Sequence, residues 1–244
     1  MTSLKIALLG YGKMGKEIEI IAKEKSHQVI AYIDNNKDWQ KQNRQLEQAD
    51  IAIDFSIPES VEKNISKCFD IGLPIVVGTT GWYKNILKIK NECEAKSGTM
   101  IWASNFSIGM NIFFKINAVL AELMAKFPDY NAHIHEIHHT QKVDAPSGTA
   151  ISIANGIMEN NNKFNSWQLY NKQDSPMVNT LPITYERIEQ VPGTHIVSYK
   201  SKIDQLIIKH EANNRQGFAI GAVLAAEWLV GKKGFFNMDQ LMSS

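Results

Sequence analysis

Over residues 4–106 the apolar positions fall into short runs, separated by stretches whose apolar residues recur at helical spacing. The runs at 4–9, 28–33, 51–56, 73–77 and 100–103 predict buried strands, and the stretches at 16–25, 60–71 and 82–96 predict helices. Residues 38–48 are polar and helix-like with no apolar run, so one crossover is shortened. Strands alternating with helices predict a mainly parallel sheet with right-handed crossovers. Residues 111–127 predict an apolar helix, with Ile112, Phe113, Ile116, Leu120, Leu123 and Met124 as core. Residues 131–137 mix Ile and His in near alternation, as a strand does, and 150–159 predict a further helix. From there to Leu181 the pattern fades into irregular chain, with Trp167 and Tyr170 as packing residues. Period two then sets in. Residues 183–188, 195–199 and 204–210 predict antiparallel strands, with Pro192-Gly193 as the turn between the first two. A last helix is predicted over 223–230.

Composition narrows this picture. Apolar residues make up 44% of the chain, enough for a real core. With 26 Lys and Arg against 25 Asp and Glu and no long basic run, nucleic acid is disfavoured as the main partner. No apolar stretch approaches a membrane span, and the chain enters its first strand without a signal peptide. Cys68 and Cys93 lie in predicted helices without metal-ligand spacing, as expected of a reduced, cytoplasmic protein.

The first candidate chemistry follows the first strand. Gly10-Tyr11-Gly12-Lys13-Met14-Gly15 is G-x-G-x-x-G between a strand and a helix, the context a dinucleotide-binding turn needs. Gly10 permits the tight turn, Gly12 lets a pyrophosphate approach, and Gly15 lets helix and strand pack closely. Asp34 ends the second strand, where ribose hydroxyls are held in such folds; its charge favours NADH over the 2′-phosphate of NADPH. Lys37, close behind, could bind that phosphate, so NADPH stays open. Ligands of a parallel sheet collect at the carboxyl ends of its strands, here at Phe55-Ser56, Gly78-Thr79-Thr80 and Ala103-Ser104-Asn105-Phe106.

The densest chemistry lies at 133–149, which holds four of the seven histidines. His135-Glu136-Ile137-His138-His139 matches the zinc-protease pattern H-E-x-x-H, which works only on a helix. On a strand His135 and His139 would lie about 13 Å apart, too far to share one metal, so no metal is expected. The segment ends in Pro146-Ser147-Gly148-Thr149, the opening of a helix. Its unpaired N–H groups and partial positive charge suit a carboxylate or phosphate, and Lys142 adds a full charge. His138 and His139 are candidate proton donors near neutral pH.

The run from Glu136 to Ala150 resembles the E-x-H-H-x-x-K-x-D-x-P-S-G-T-A signature of the 4-hydroxy-tetrahydrodipicolinate reductase family. Gly78-Thr79-Thr80-Gly81, the N-F-S-x-G-x-N run at 105–111, V-P-G-T-H at 191–195 and D-Q-L-I-I-K-H-E-A at 204–212 resemble it too. So does the F-A-x-G-A-x-x-A-A-x-W-L run from Phe218, which implies that the last helix returns to the first domain. The implied fold is α/β: a Rossmann-like, mainly parallel sheet over 1–106 and 217–244, and an α+β domain over 107–216. The second domain, with a mixed or antiparallel sheet, would bind substrate and carry the oligomer contacts of a homotetramer. The implied activity is reduction of a cyclic dicarboxylate by NADH or NADPH, with loss of water, in the diaminopimelate branch of lysine biosynthesis. The nicotinamide would then face the His/Lys segment, with His138 and Lys142 catalytic. His139, Lys142 and the N–H groups of Ser147, Gly148 and Thr149 would hold a substrate carboxylate. Lys13 and Thr80 would touch substrate or cofactor. A redox-sensing dinucleotide binder without chemistry is the alternative from another class, and the complete His138/His139/Lys142 set weighs against it. One departure stands out: many relatives carry Gly two residues after Arg187, where this chain has Glu189.

Overall fold

The structure, a computed structural model, describes residues 3–170 and 177–244. Two units emerge: Met1–Ile108 with Arg215–Ser244, and Gly109–Asn214. The chain enters the first through β1 (Lys5–Leu9), α1 (Lys13–Glu24) and β2 (Gln28–Ile33). The polar stretch after β2 becomes two short helices, α2 (Asn36–Lys41) and α3 (Asn43–Glu47), and β3 (Ile51–Asp54), α4 (Pro58–Asp70) and β4 (Ile75–Val77) follow. Residues 82–96 are not one helix. A 3-10 turn at Tyr83–Asn85 leads into α5 (Ile86–Ala95), and β5 (Thr99–Trp102) follows.

The second unit runs through α6 (Ile108–Met124), β6 (Asn131–His138), α7 (Gly148–Asn160), β7 (Ser166–Leu169), β8 (Thr180–Arg187), β9 (Gly193–Lys200) and β10 (Gln205–Ala212). The chain then returns to the first unit with α8 (Gln216–Leu229), β11 (Gly234–Asn237) and α9 (Met238–Met242).

In the first unit six parallel strands lie in the order β11-β5-β4-β3-β1-β2. Alternation within β1 sends Ile6 and Leu8 to one face, against α1 and α8. Ala7 and Leu9 go to the other, against α4 and α5. Burial on both faces is why these strands read as unbroken apolar runs. The close of the fold is α8. A Cβ on Gly221 would lie 1.7 Å from the Phe106 carbonyl oxygen, so the helix backbone rests directly on the chain leaving β5.

The second sheet has the order β10-β9-β6-β8-β7 and is mixed. β8 pairs parallel with β6 and β7, while β9 pairs antiparallel with β6 and β10. Three sequence expectations are corrected here. β8 and β9 do not form a hairpin across Pro192-Gly193, because β6 lies between them. The stretch to Leu181 is not all irregular, since β7 adds an edge strand in which Trp167 packs on the core. Of the six residues taken as core on α6, Phe113 and Leu120 are buried, but Ile112, Ile116 and Leu123 are 45%, 49% and 52% exposed. Helical periodicity marks an apolar face without saying what covers it. In the loop after β8, the left-handed backbone (φ 65°) falls at Gln190 rather than at Glu189.

Candidate active site

The first unit carries a cradle at the carboxyl ends of its strands. Gly10 has φ +89°, and a Cβ there would lie 2.5 Å from the Phe55 carbonyl oxygen. A Cβ on Gly15 would meet the Gly10 carbonyl oxygen at 2.4 Å, whereas Gly12 has nothing within 4 Å. Two glycines thus seal the turn and the third leaves it open. α1 begins with Gly12 at its cap and no side-chain cap. A helix start of this kind presents orphan N–H groups to an anion. Lys13 is exposed and Met14 half-buried at this start.

The loops beside the cradle are tied by one residue that sequence reading passed over. Asp54 is fully buried at the end of β3. It accepts from Thr79 Oγ1 at 2.6 Å, Ser56 Oγ at 2.8 Å and Asn64 Nδ2 at 2.8 Å. Burial pushes its pKa up, and these donors oppose that rise. Phe55-Ser56 and Gly78-Thr79 are thereby held to one carboxylate, and the Phe55 ring lies where a Gly78 side chain would be. Thr80 is exposed beyond them. After β5, Ala103, Asn105 and Phe106 are buried and Ser104 is exposed, with Asn105 Oδ1 accepting from the Ser107 N–H at 2.9 Å.

A cavity of about 610 Å³ opens beside Gly10 and Gly12, lined further by Asp34, Asn35, Asn36, Ser60 and Lys63. The Tyr11 N–H donates to Asp34 Oδ1 at 2.6 Å. Lys37, the cation expected near Asp34, does not line this cavity; Lys63 on α4 does. Tyr11 and Tyr32 both donate to Glu19, which Lys23 also contacts at 2.6 Å. Hydrogen bonds from Lys23 and the two tyrosines bring the Glu19 pKa down to about 2.

The second unit gathers the other set. β6 is a strand through His138, so the helix that H-E-x-x-H requires is absent. His133 and His135 share Thr184 Oγ1, at 2.9 and 2.7 Å. Glu136 and His138 alternate with them on the buried face. Glu136 is 0% exposed. Arg187 Nη2 donates to its Oε1 at 3.3 Å, and the Ser147 N–H donates to both oxygens at 3.2 Å. His138 Nδ1 lies 3.6 Å and His195 Nε2 3.9 Å from Oε2. These three side chains could in principle surround a cation, but the Arg187 guanidinium already supplies positive charge to the carboxylate. Lys142 pairs with Asp144 at 2.7 Å. Arg187 also donates to the carbonyls of Lys142 at 3.2 Å and Asp144 at 2.7 Å, so the loop carrying Lys142 is fastened to β8.

The anion donors at the start of α7 are fewer than expected. The Ser147 N–H is engaged by Glu136, and the Ser147 side chain caps the Ala150 N–H at 3.1 Å. Gly148 and Thr149 open the helix, with Gly148 exposed and Thr149 and His139 half-buried. Burial depresses the His138 pKa, with Glu136 opposing and Lys142 and Arg187 adding. Burial, with neighbouring His138, His210 and Lys142, takes His195 down to about 3. Glu136, Arg187 and His195 are the participants that sequence reading missed. Glu136 stood inside the recognised signature, and only its burial reveals its use.

A parallel sheet with an open glycine turn after its first strand and an acid just past its second has the arrangement that NAD(P)H-dependent oxidoreductases use for their dinucleotide. Residues 4–106 match the family described as dihydrodipicolinate reductase, N-terminus, and residues 109–242 the one described as dihydrodipicolinate reductase, C-terminus. A 4-hydroxy-tetrahydrodipicolinate reductase of Christiangramia forsetii is 46% identical over 240 residues, 98% of each chain. One of Ralstonia nicotianae is 34% identical over 201 residues, 81% of this chain and 75% of that one. Among solved structures, dipicolinate-bound dihydrodipicolinate reductase from Paenisporosarcina sp. TG-14 superposes with a TM-score of 0.77 at 21% identity, covering 97% of this chain and 98% of that one. The chain belongs to the dihydrodipicolinate reductase family, whose members carry out the NAD(P)H-dependent reduction of 4-hydroxy-tetrahydrodipicolinate in the diaminopimelate and lysine pathway. Among the described residues, no helix is long and apolar enough to cross a membrane.

Proposed function

We propose that this chain reduces 4-hydroxy-tetrahydrodipicolinate with NADH preferred over NADPH, with His138 as proton donor and Lys142 as the principal carboxylate-binding cation. The bound cofactor would supply the hydride. Gly12 and the start of α1 fit its diphosphate, since no atom fills the space a side chain would take at Gly12. Asp34 fits the ribose hydroxyls, because one of its oxygens is fixed by Tyr11 and the other remains to accept. Lys63 is the cation in the same cavity that would tolerate a 2′-phosphate. Phe55, Gly78, Thr79, Ala103, Ser104, Asn105 and Phe106 shape the neighbouring loop walls, and Lys13 and Thr80 are the exposed polar groups assigned to phosphate or substrate.

The observation that carries this reading is the convergence of His138, the Ser147 N–H at the α7 start and Arg187 on one buried carboxylate, Glu136, with Arg187 also holding the Lys142 carbonyl. His138 turns Nδ1 toward Glu136, which leaves Nε2 to donate. Gly193 has no side chain to cover that nitrogen; a Cβ there would lie 3.1 Å from it. Hydride addition to a conjugated ring leaves negative charge that a positioned acid must protonate. Lys142, His139 and the Gly148 and Thr149 N–H groups would hold a carboxylate, with Lys142 exchanging its exposed partner Asp144 for the substrate.

Assembly as a homotetramer through the second unit fits the same reading. Ile116, Val119 and Leu123 of α6, with Leu206 and Ile208 of edge strand β10, line an apolar groove of about 370 Å³, and an open edge of this kind calls for cover. The deciding experiment is Lys142→Ala with steady-state kinetics and NADH titration. Turnover should fall by on the order of 100-fold or more with NADH affinity nearly intact, and near-normal turnover would reject the assignment. Titrating both cofactors decides the preference.

A further inference from the structure

Glu136 carries more than the shape of the fold. A carboxylate with no solvent exposure is costly unless it is neutralised and hydrogen-bonded. Here its contacts come from four places in the chain. Arg187 reaches it from β8, the Ser147 N–H from the start of α7, His138 from its own strand and His195 from β9. Nδ1 of His138 is buried and has no hydrogen-bond partner, and Glu136 Oε2 lies 3.6 Å from it. Arg187 spends its remaining donors on the backbone of Glu186, Lys142 and Asp144.

We infer that Glu136 is a positioning residue whose negative charge holds the His138 imidazole as a proton donor and, through Ser147 and Arg187, sets it against the carboxylate-binding loop. This rests on the reading of His138 as proton donor. The charged groups facing His138 are Glu136 on β6, Lys142 and Asp144 on the following loop, and Arg187 on β8, with His195 facing it from β9. The two cations disfavour its protonated form; Glu136, and to a smaller extent Asp144, favour it. A purely structural acceptor could be replaced by an amide of the same size. A charge that offsets part of the burial penalty on protonated His138 could not.

Glu136→Gln separates the two. His138 Cε1 NMR titration of the folded variant should move to lower pH, because the larger of the two carboxylate contributions that favour the imidazolium is gone. An acid must be protonated to donate, so the alkaline limb of kcat/KM should move down in step. kcat should fall on the order of 10- to 100-fold, while NADH affinity holds. An unmoved His138 titration in folded Glu136→Gln overturns the inference. If that variant fails to fold by near-UV circular dichroism, Arg187→Met serves: removing a cation should move the titration to higher pH, and an unmoved midpoint again overturns it. His138→Gln with full turnover would sink the proton-donor reading by itself. The NMR titration would still report whether Glu136 holds the ring.

Discussion

The backbone N–H of Tyr11 donates to Asp34 Oδ1 at 2.6 Å, tying the glycine turn to the acid at the end of β2. One oxygen of Asp34 is thus spent on the fold, and the residue lines the same cavity as Lys63. A charge-assisted hydrogen bond contributes about 1.5–3 kcal/mol, and 1.4 kcal/mol is about tenfold in affinity. Asp34→Ala should therefore raise the NADH KM by on the order of 10-fold or more, with little change for NADPH, whose phosphate the acid repels. Lys63→Ala should act in the opposite sense and weaken NADPH alone, most clearly at low salt. Steady-state kinetics with both cofactors checks this; an unchanged KM ratio in both variants would remove these residues from cofactor selection.

Gly221 has its absent side chain pointed at the Phe106 carbonyl, 1.7 Å from where a Cβ would sit. The obstruction is backbone, which cannot swing aside. Gly221→Ala should lower unfolding stability by about 2–3 kcal/mol and loosen the chain after β5. Gly231→Ala is a poor control, since its φ is +81°. Gly148→Ala, with open space around it, is a better one for steric effects. Urea unfolding of the two variants tests the contrast.

His195 is held neutral by burial, with a pKa of about 3. Above pH 6.5 the folded and unfolded chains both keep it unprotonated. Below that, the unfolded chain takes up a proton that the folded one refuses, so stability is lost progressively as pH falls toward 3. The linked loss is of order 4 kcal/mol across that interval. A His195→Gln variant should show a flatter dependence of unfolding free energy on pH between about 6.5 and 3. Parallel curves for the two proteins would show that His195 does not carry this dependence.

The exposed side of α6 gives a prediction about assembly. Ile116→Asp together with Leu206→Asp places charges on the groove that both residues line. Sedimentation velocity should show a smaller species than the unmodified protein at equal concentration. A tetramer unaffected by the pair would move the subunit contacts elsewhere.

Local chemistry was legible in the sequence wherever neighbours in the chain are neighbours in space. The β1 turn needs its three glycines within six residues, so G-x-G-x-x-G announces strand, turn and helix together. Ser147 caps the helix that starts at Gly148, and Pro146-Ser147-Gly148-Thr149 says as much. The alternation of Ile and His over β6 predicted a strand rather than the helix a zinc motif needs, and residues 131–138 form one. Missed features all depend on distant partners. β7 is a short edge strand whose pattern is weak without β8 beside it. β11 and α9, which went unpredicted, complete a sheet begun more than a hundred residues earlier.

What the chain order determined alone was the class of fold and the residue types of the site, because periodicity and turn chemistry are short-range. Tertiary structure decided which groups share a charge. Asp54 joins Ser56, Asn64 and Thr79, and Glu136 joins Ser147, Arg187 and two histidines across four elements. A buried carboxylate is stable only where several donors converge, and convergence is a property of the folded chain that no spacing along it records.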